Sequence, residues 1–180
     1  MLWRQLNRLV TNLMAITLMC GAAIPSVQAS DKEYAIKAGF LYNFALYGRW
    51  SSSFTERDNF VICSQDHNFI AIANRVLGDR NVKHKPITTQ TISHSAASIQ
   101  QCDMFFVSAN TQENWPTINH QQHQNTMFIG ETEHFIKQGG HIRFFLASGK
   151  IRFEISPKHL KQSGLSMSSK VLRLGRVVER

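Results

Sequence analysis

The 180-residue chain carries 20 lysines and arginines against 12 acidic residues, a net charge of +8, and is 43% hydrophobic. That supports one compact domain with a core of ordinary size, and no repeat or low-complexity stretch interrupts it. The basic residues are dispersed rather than gathered in one run, which argues against nucleic acid and leaves a solvated basic surface or attraction to an acidic partner or anionic lipid.

The start reads as a leader. Arg4 and Arg8 precede the mostly apolar Leu9–Ile24, and Val27-Gln28-Ala29 closes it with a small-x-small cleavage pattern. The expected organisation is a cleaved signal peptide over residues 1–29 and a single domain over 30–180. A retained anchor is the alternative, disfavoured by the short apolar core. Lipidation at Cys20 is another, disfavoured by Met19 where Gly or Ala is wanted.

Glu33–Trp50 reads as a helix with few polar residues. Ile36, Phe40, Phe44 and Tyr47 form one stripe, expected to pack on a sheet. Ala35, Ala38, Gly39, Tyr42 and Leu46 form a second. Either the C-terminal helices of the same chain cover that second stripe, or it is a dimer or partner face; Ala38, Tyr42 and Leu46 are its candidate contact residues.

Next comes a strand at Asn59–Ser64, then a helix over Asn68–Gly78 with Asn68 as its N-cap and Gly78 as its stop. Lys85–Ile92 is β-branched and extended. A short helix is expected over Ser95–Cys102, and Asp103–Ser108 is a central strand, apolar on both faces. Thr111–Gln124 is polar, a weak helix broken near Pro116. Thr126–Glu131 is a further buried strand, and Glu133–Gly140 a short helix closed by glycine.

His141–Ser156 then reads as a hairpin turning at Ser148-Gly149. A two-residue turn there pairs Phe144 with Phe153 and Leu146 with Ile151 on the core side. On the outer side it pairs Arg143 with Glu154, an ion pair, and Phe145 with Arg152, a cation–π contact. Those four outer residues either decorate a wet sheet face or form part of a binding surface. Two helices close the chain: one after Ser156 as N-cap with Pro157 in its first turn, and one over Ser166–Val178. The whole is α/β: a mixed, mostly parallel sheet flanked by helices on both sides, with a C-terminal β-hairpin and two terminal helices.

Little in the chain reads as catalytic. There is no P-loop, no GxGxxG and no GxSxG elbow. Asp66-His67 follows a strand, where active-site residues often lie, but reads first as a surface turn. His120 and His123 are three apart, with no nearby Cys, Asp or Glu to complete a metal shell. No metal, cofactor or catalytic residue is therefore assigned. Once Cys20 leaves with the leader, Cys63 and Cys102 remain as an even pair, normally oxidised in an exported chain. Their spacing is not that of a CxxC redox motif; a structural bridge and a reactive pair both stay open. Cys63 lies late in its strand and Cys102 just before its own, so unstaggered parallel neighbours would hold them at opposite ends.

These residues in this order resemble the YfiR family of small periplasmic proteins. Glu33-Tyr34, Lys37-Ala38, Phe40 to Phe44 and Trp50 follow its opening helix and tryptophan. Cys63 and Cys102 fall where it places two bridging cysteines. Gly139-Gly140, Phe144, Gly149, Arg152 to Ile155, Gly164-Leu165, Ser168-Ser169 and Leu172 follow its tail. Ser51 stands where the family usually has proline, Ser156 where it often has asparagine, and the chain lacks cysteines for the second disulfide of some members.

The resemblance implies a periplasmic repressor, not an enzyme. It would bind the periplasmic domain of a YfiN-like inner-membrane diguanylate cyclase and hold it inactive, so lowering cyclic di-GMP and biofilm formation. A YfiB-like outer-membrane lipoprotein would sequester it, and the working unit would be a homodimer. The competing reading is a periplasmic small-molecule sensor acting on a membrane kinase or cyclase. A third is an enzyme using Asp66 and His67.

Overall fold

In the computed structural model the chain is described over residues 26–50, 57–93, 95–118 and 122–178. The expected leader lies outside these residues except for its last positions, which fall in a helix. Asp31–Arg180 form one compact unit. In chain order the elements are α1 (Ser26–Tyr47), β1 (Gly48–Arg49), β2 (Phe60–Ser64), α2 (His67–Leu77), β3 (Asn81–Val82) and β4 (Lys85–Thr91). There follow α3 (Ala96–Ile99), β5 (Met104–Val107), a 3-10 helix (Gln112–Thr117), β6 (Met127–Gly130), β7 (Ile142–Ala147) and β8 (Lys150–Ile155). The chain closes with α4 (Pro157–Gln162), β9 (Ser166–Met167), α5 (Ser169–Leu172) and β10 (Arg176–Val177).

Eight strands form one sheet in the order β10-β8-β7-β6-β5-β2-β4-β3, and β1 pairs with β9 in a separate two-stranded ladder. β4, β2, β5, β6 and β7 all run parallel, while β8 returns antiparallel to β7. The mixed, mostly parallel α/β architecture with its C-terminal hairpin is the one expected from sequence.

Strand alternation sorts the core into two layers. Phe60, Ile62, Met104, Phe106, Ile129 and Phe144 point to the face covered by α1 and α2. Cys63, Phe105, Val107 and Phe128 point to the other, where Ile99, Trp115 and Phe135 cover them. Burial of each phenylalanine in such a layer contributes about 2–3 kcal/mol. On the second face Phe135 stacks on Trp115 at 4.3 Å between ring centroids. Its ring lies between Gly130 and Gly140, where an added Cβ would stand 2.4 and 2.2 Å from ring carbons. These two glycines are needed for close approach rather than for a turn.

Several elements differ from expectation. Asp66, not Asn68, caps α2: its carboxylate accepts from the Phe69 N–H at 3.0 Å. Glu133–Gly140 is a run of turns, because Phe135 must bend into the glycine notch. The last segment is strand, short helix and strand rather than one helix, since Ser166 and Met167 are taken up by β1 and Arg176 and Val177 by β8. Pro116 is accommodated inside the 3-10 helix.

Cys63 and Cys102 form a disulfide with Cα atoms 5.9 Å apart. β2 and β5 are parallel neighbours with Cys63 level with Phe105, so Cys102 as part of β5 would be too distant. It is instead in the turn closing α3, its N–H donating to the Ile99 carbonyl at 3.0 Å, over the face to which Cys63 points. The bridge thus pins the α3 layer to the sheet. With the cysteines 39 positions apart in sequence, the double variant Cys63→Ser/Cys102→Ser is expected to lose about 4 kcal/mol of unfolding free energy in the chain-entropy model, measured by denaturant titration.

Candidate functional site

The parallel strands bring their carboxyl ends to one edge, the place where open α/β sheets gather functional side chains. Three segments distant in sequence meet there. Asp66, just after β2, accepts from the Tyr34 hydroxyl of α1 at 2.8 Å and from Ser108, just after β5, at 2.7 Å. Asn110 adds a longer contact to the same carboxylate oxygen at 3.4 Å. Beside this knot Lys37 of α1 is buried and ion-paired to Glu33 and Glu131, and Glu131 also accepts the Ala109 N–H at 2.7 Å. The Lys37 ammonium stands 5.6 Å from the Tyr34 ring centre.

The electrostatics follow from these partners. Burial pushes the Asp66 carboxyl up, but the Phe69 N–H, Ser108, Tyr34 and Asn110 donors outweigh it and hold it below the usual aspartate range. Burial, then the hydrogen bond to Asp66 and its charge, push the Tyr34 phenol well above the tyrosine range, so it stays a donor. A carboxylate so well supplied with donors is a weak base, and here it ties elements together. His67 is exposed at the first position of α2.

The outer face of the hairpin is a second cluster. The register is the expected one, Arg143 with Glu154, Phe144 with Phe153, Phe145 with Arg152 and Leu146 with Ile151. Ser148 and Gly149 both have positive φ, 50° and 70°, as the tight turn requires. Arg143 Nε donates to Glu154 at 2.6 Å, and Arg176 of β10 donates to the other carboxylate oxygen, Nε at 2.9 Å. Burial raises the Glu154 pKa, but the two arginines bring it below the ordinary glutamate range. The guanidinium groups over the Phe145 ring belong to Arg143 and Arg176, at 5.3 and 4.8 Å, where Arg152 was expected. Arg176 could not be anticipated because it arrives from the segment read as helix. Leu146, expected on the core side, is 65% exposed, since the hairpin runs past the end of the layer that would cover it.

The helix stripes are redrawn. Ala38 is fully buried, together with Tyr34, Leu41, Phe44 and Ala45. Phe40 and Phe44 do pack on the sheet, 5.7 and 6.0 Å from the Phe144 ring. Ile36 and Tyr47, assigned to the same stripe, are exposed instead. Tyr42 lies under Arg80, with the guanidinium 4.9 Å from its ring, so the loop between α2 and β3 reaches that flank. Leu46 is exposed. Ala38, Tyr42 and Leu46 therefore do not share one open face. Sequence reasoning missed Ser108, Glu131 and the role of Lys37. The signal available was a lysine in the middle of an apolar helix, which demands a buried acid.

Between the two clusters lies a cleft of 420 Å³ lined by Glu33 and Lys37 of α1, Glu131, Glu133, and Arg143, Phe144, Phe145, Leu146 and Ile151 of the hairpin. It joins an acidic end to an apolar floor. Among the described residues no group of three His, Cys, Asp or Glu could hold a metal ion. His123 is buried against the Phe128 ring, and His120 lies outside the described residues. No helix among the described residues is long and apolar enough to cross a membrane.

Residues 34–176 match the YfiR/HmsC-like family, from the opening helix to β10. No curated protein matches the chain.

Asp66→Ala removes a helix cap and leaves the Tyr34 and Ser108 hydroxyls buried without their acceptor, a loss of about 3 kcal/mol in thermal or denaturant unfolding. The Asp66 pKa is depressed, so its stabilisation is present above the ordinary aspartate value of 3.8 and is lost as pH falls from there through the folded-state value. The stability gap between wild type and variant should therefore narrow below that pH.

Proposed function

The chain belongs to the YfiR/HmsC-like family, and on that premise we propose that it represses an inner-membrane diguanylate cyclase by binding the cyclase's periplasmic domain. The family is one of periplasmic, non-catalytic regulators of cyclic di-GMP signalling. The match over residues 34–176 is the observation that carries the reading. In it, residues 1–29 are removed on export, a YfiB-like outer-membrane lipoprotein withdraws the repressor from the cyclase, and the repressor works as a homodimer. The hairpin supports a role in protein contact. The guanidinium groups of Arg143 and Arg176 lie against the Phe145 ring and Leu146 beside it is 65% exposed, so aromatic and arginine side chains of the kind enriched at interfaces adjoin an open apolar one.

A second reading is favoured by the cleft, whose 420 Å³ lies within the size of small-molecule sites. In that reading the protein is a ligand-binding sensor subunit for a membrane kinase or cyclase. Deleting the gene separates the two from inactivity: repression predicts a rise in cellular cyclic di-GMP and biofilm, reversed by the wild-type gene. Leu146→Glu, a surface change expected to leave the melting temperature unaltered, should fail to reverse it. Unchanged cyclic di-GMP after deletion would sink the repressor reading. A thermal-shift response to a small periplasmic metabolite, with cyclic di-GMP changing only in its presence, would favour the sensor.

A further inference from the structure

The β7 strand loses its neighbour halfway along. Its parallel ladder with β6 holds only Ile129 with Ile142 and Gly130 with Arg143, after which the chain of β6 turns away at Glu131. Across the hairpin β7 stays paired to Ala147. Hydrogen-bonded pairs alternate in an antiparallel ladder, and the two-residue turn makes Ala147 with Lys150 one of them, as the Ser156 N–H to His141 carbonyl bond at 2.9 Å also requires. Arg143, Phe145 and Ala147 thus direct their main-chain groups to β8. Phe144 and Leu146 direct theirs the other way; the pairing of Gly130 with Arg143 engages the Phe144 N–H, so the groups that no described strand meets are the Phe144 carbonyl and the N–H and carbonyl of Leu146. That side is the 420 Å³ cleft.

Exposed sheet edges are normally guarded by shortness, charge or proline. At the far edge of this sheet β3 has two residues. The outer edge of β8 beyond its two pairs with β10 carries Lys150 and Arg152. The free stretch of β7, Phe144 to Ala147, carries neither charge nor proline. It is an unguarded edge beside an apolar floor.

The occupant is indicated by charge. At the α1 end the cleft presents Glu33, Glu131 and Glu133 against one ammonium, that of Lys37, which already bridges the first two. At the hairpin end Arg143 is engaged by Glu154. The cleft is thus acidic at one end on a chain whose net charge is +8. We propose that the free edge of β7 receives an extended segment of a partner protein as an added strand, its alternate side chains on the Leu146–Ile151 floor and a lysine or arginine against Glu131 and Glu133. The regulatory reading above supplies only the protein that would carry the segment; strand addition stands on the edge and the charge.

The probe is a fluorescent peptide of about ten residues, alternating valine and threonine with a lysine at one end, titrated against the full chain by anisotropy, with amide hydrogen exchange on the complex. The expected result is saturable binding with slowed exchange at the Leu146 amide. N-methylation of the peptide backbone on its pairing side should weaken binding roughly fivefold or more per lost bond. Replacing the peptide lysine by glutamate, or Glu133 by lysine in the protein, should weaken it too. Leu146→Pro removes the outward N–H while leaving the β8 ladder donors in place, and should abolish binding with an unchanged far-ultraviolet spectrum. No binding, binding indifferent to backbone methylation, or protection located elsewhere in the chain would overturn the proposal. Because the assay contains no cyclase, its failure would leave the deletion phenotype as an independent test of repression.

Discussion

Asp66 connects three pieces of chain that sequence keeps far apart. Its one carboxylate caps α2, holds Tyr34 of α1 and holds Ser108 at the end of β5. Without it α1 would keep its apolar contacts with the sheet and the Lys37–Glu131 ion pair, but lose its anchor to the ends of β2 and β5. Hydrophobic contacts bury area without choosing a rotation about the helix axis. The Tyr34 bond and the Lys37 ion pairs set that rotation, and with it which side of α1 faces solvent. Leu46 and Ile36 are open because Tyr34, Lys37, Ala38 and Leu41 are turned inward.

The opposite face is held differently. There the cover is made of short pieces, α3, a 3-10 helix and a run of turns, none long enough to be stable alone. The Cys63–Cys102 bridge ties α3 down, and the Phe135 ring, set between Gly130 and Gly140 and stacked on Trp115, holds the turns. One face therefore relies on long helices and a polar knot, and the other on a covalent staple and a steric notch.

The hairpin is the part that outruns both. Its base is core, with Phe144 and Phe153 under Phe40 and Phe44. Its tip projects beyond β6, and Glu154 between Arg143 and Arg176 braces the outer side of its base. A half-apolar projection beside an open cleft is suited to protein contact, which accords with membership of a regulatory family.

Much was legible locally. The hairpin register followed from a two-residue turn and strict alternation, both properties of neighbouring residues. The strands over Asn59–Ser64, Asp103–Ser108 and Thr126–Glu131 were visible because each is a short apolar run bounded by polar residues. The cysteine pair was visible as a count. Failures fell where a residue's place depends on a distant one. Ala38 and Tyr42 could not be told apart from Leu46 on a helix apolar on two sides, since Ala38 is turned into the core and Tyr42 is met by Arg80 from a remote loop. Asp66 could not be told from Asn68 as a cap without Tyr34 and Ser108. The terminal helix became β9, α5 and β10 because β1 and β8 had free edges to offer. Sequence by itself thus determined most of the elements, the hairpin pairing and the α/β class, which rest on contacts within a turn or two. Tertiary structure decided the rotation of α1, the cations over Phe145 and the unguarded edge of β7, because each is set by where a second, remote segment ends.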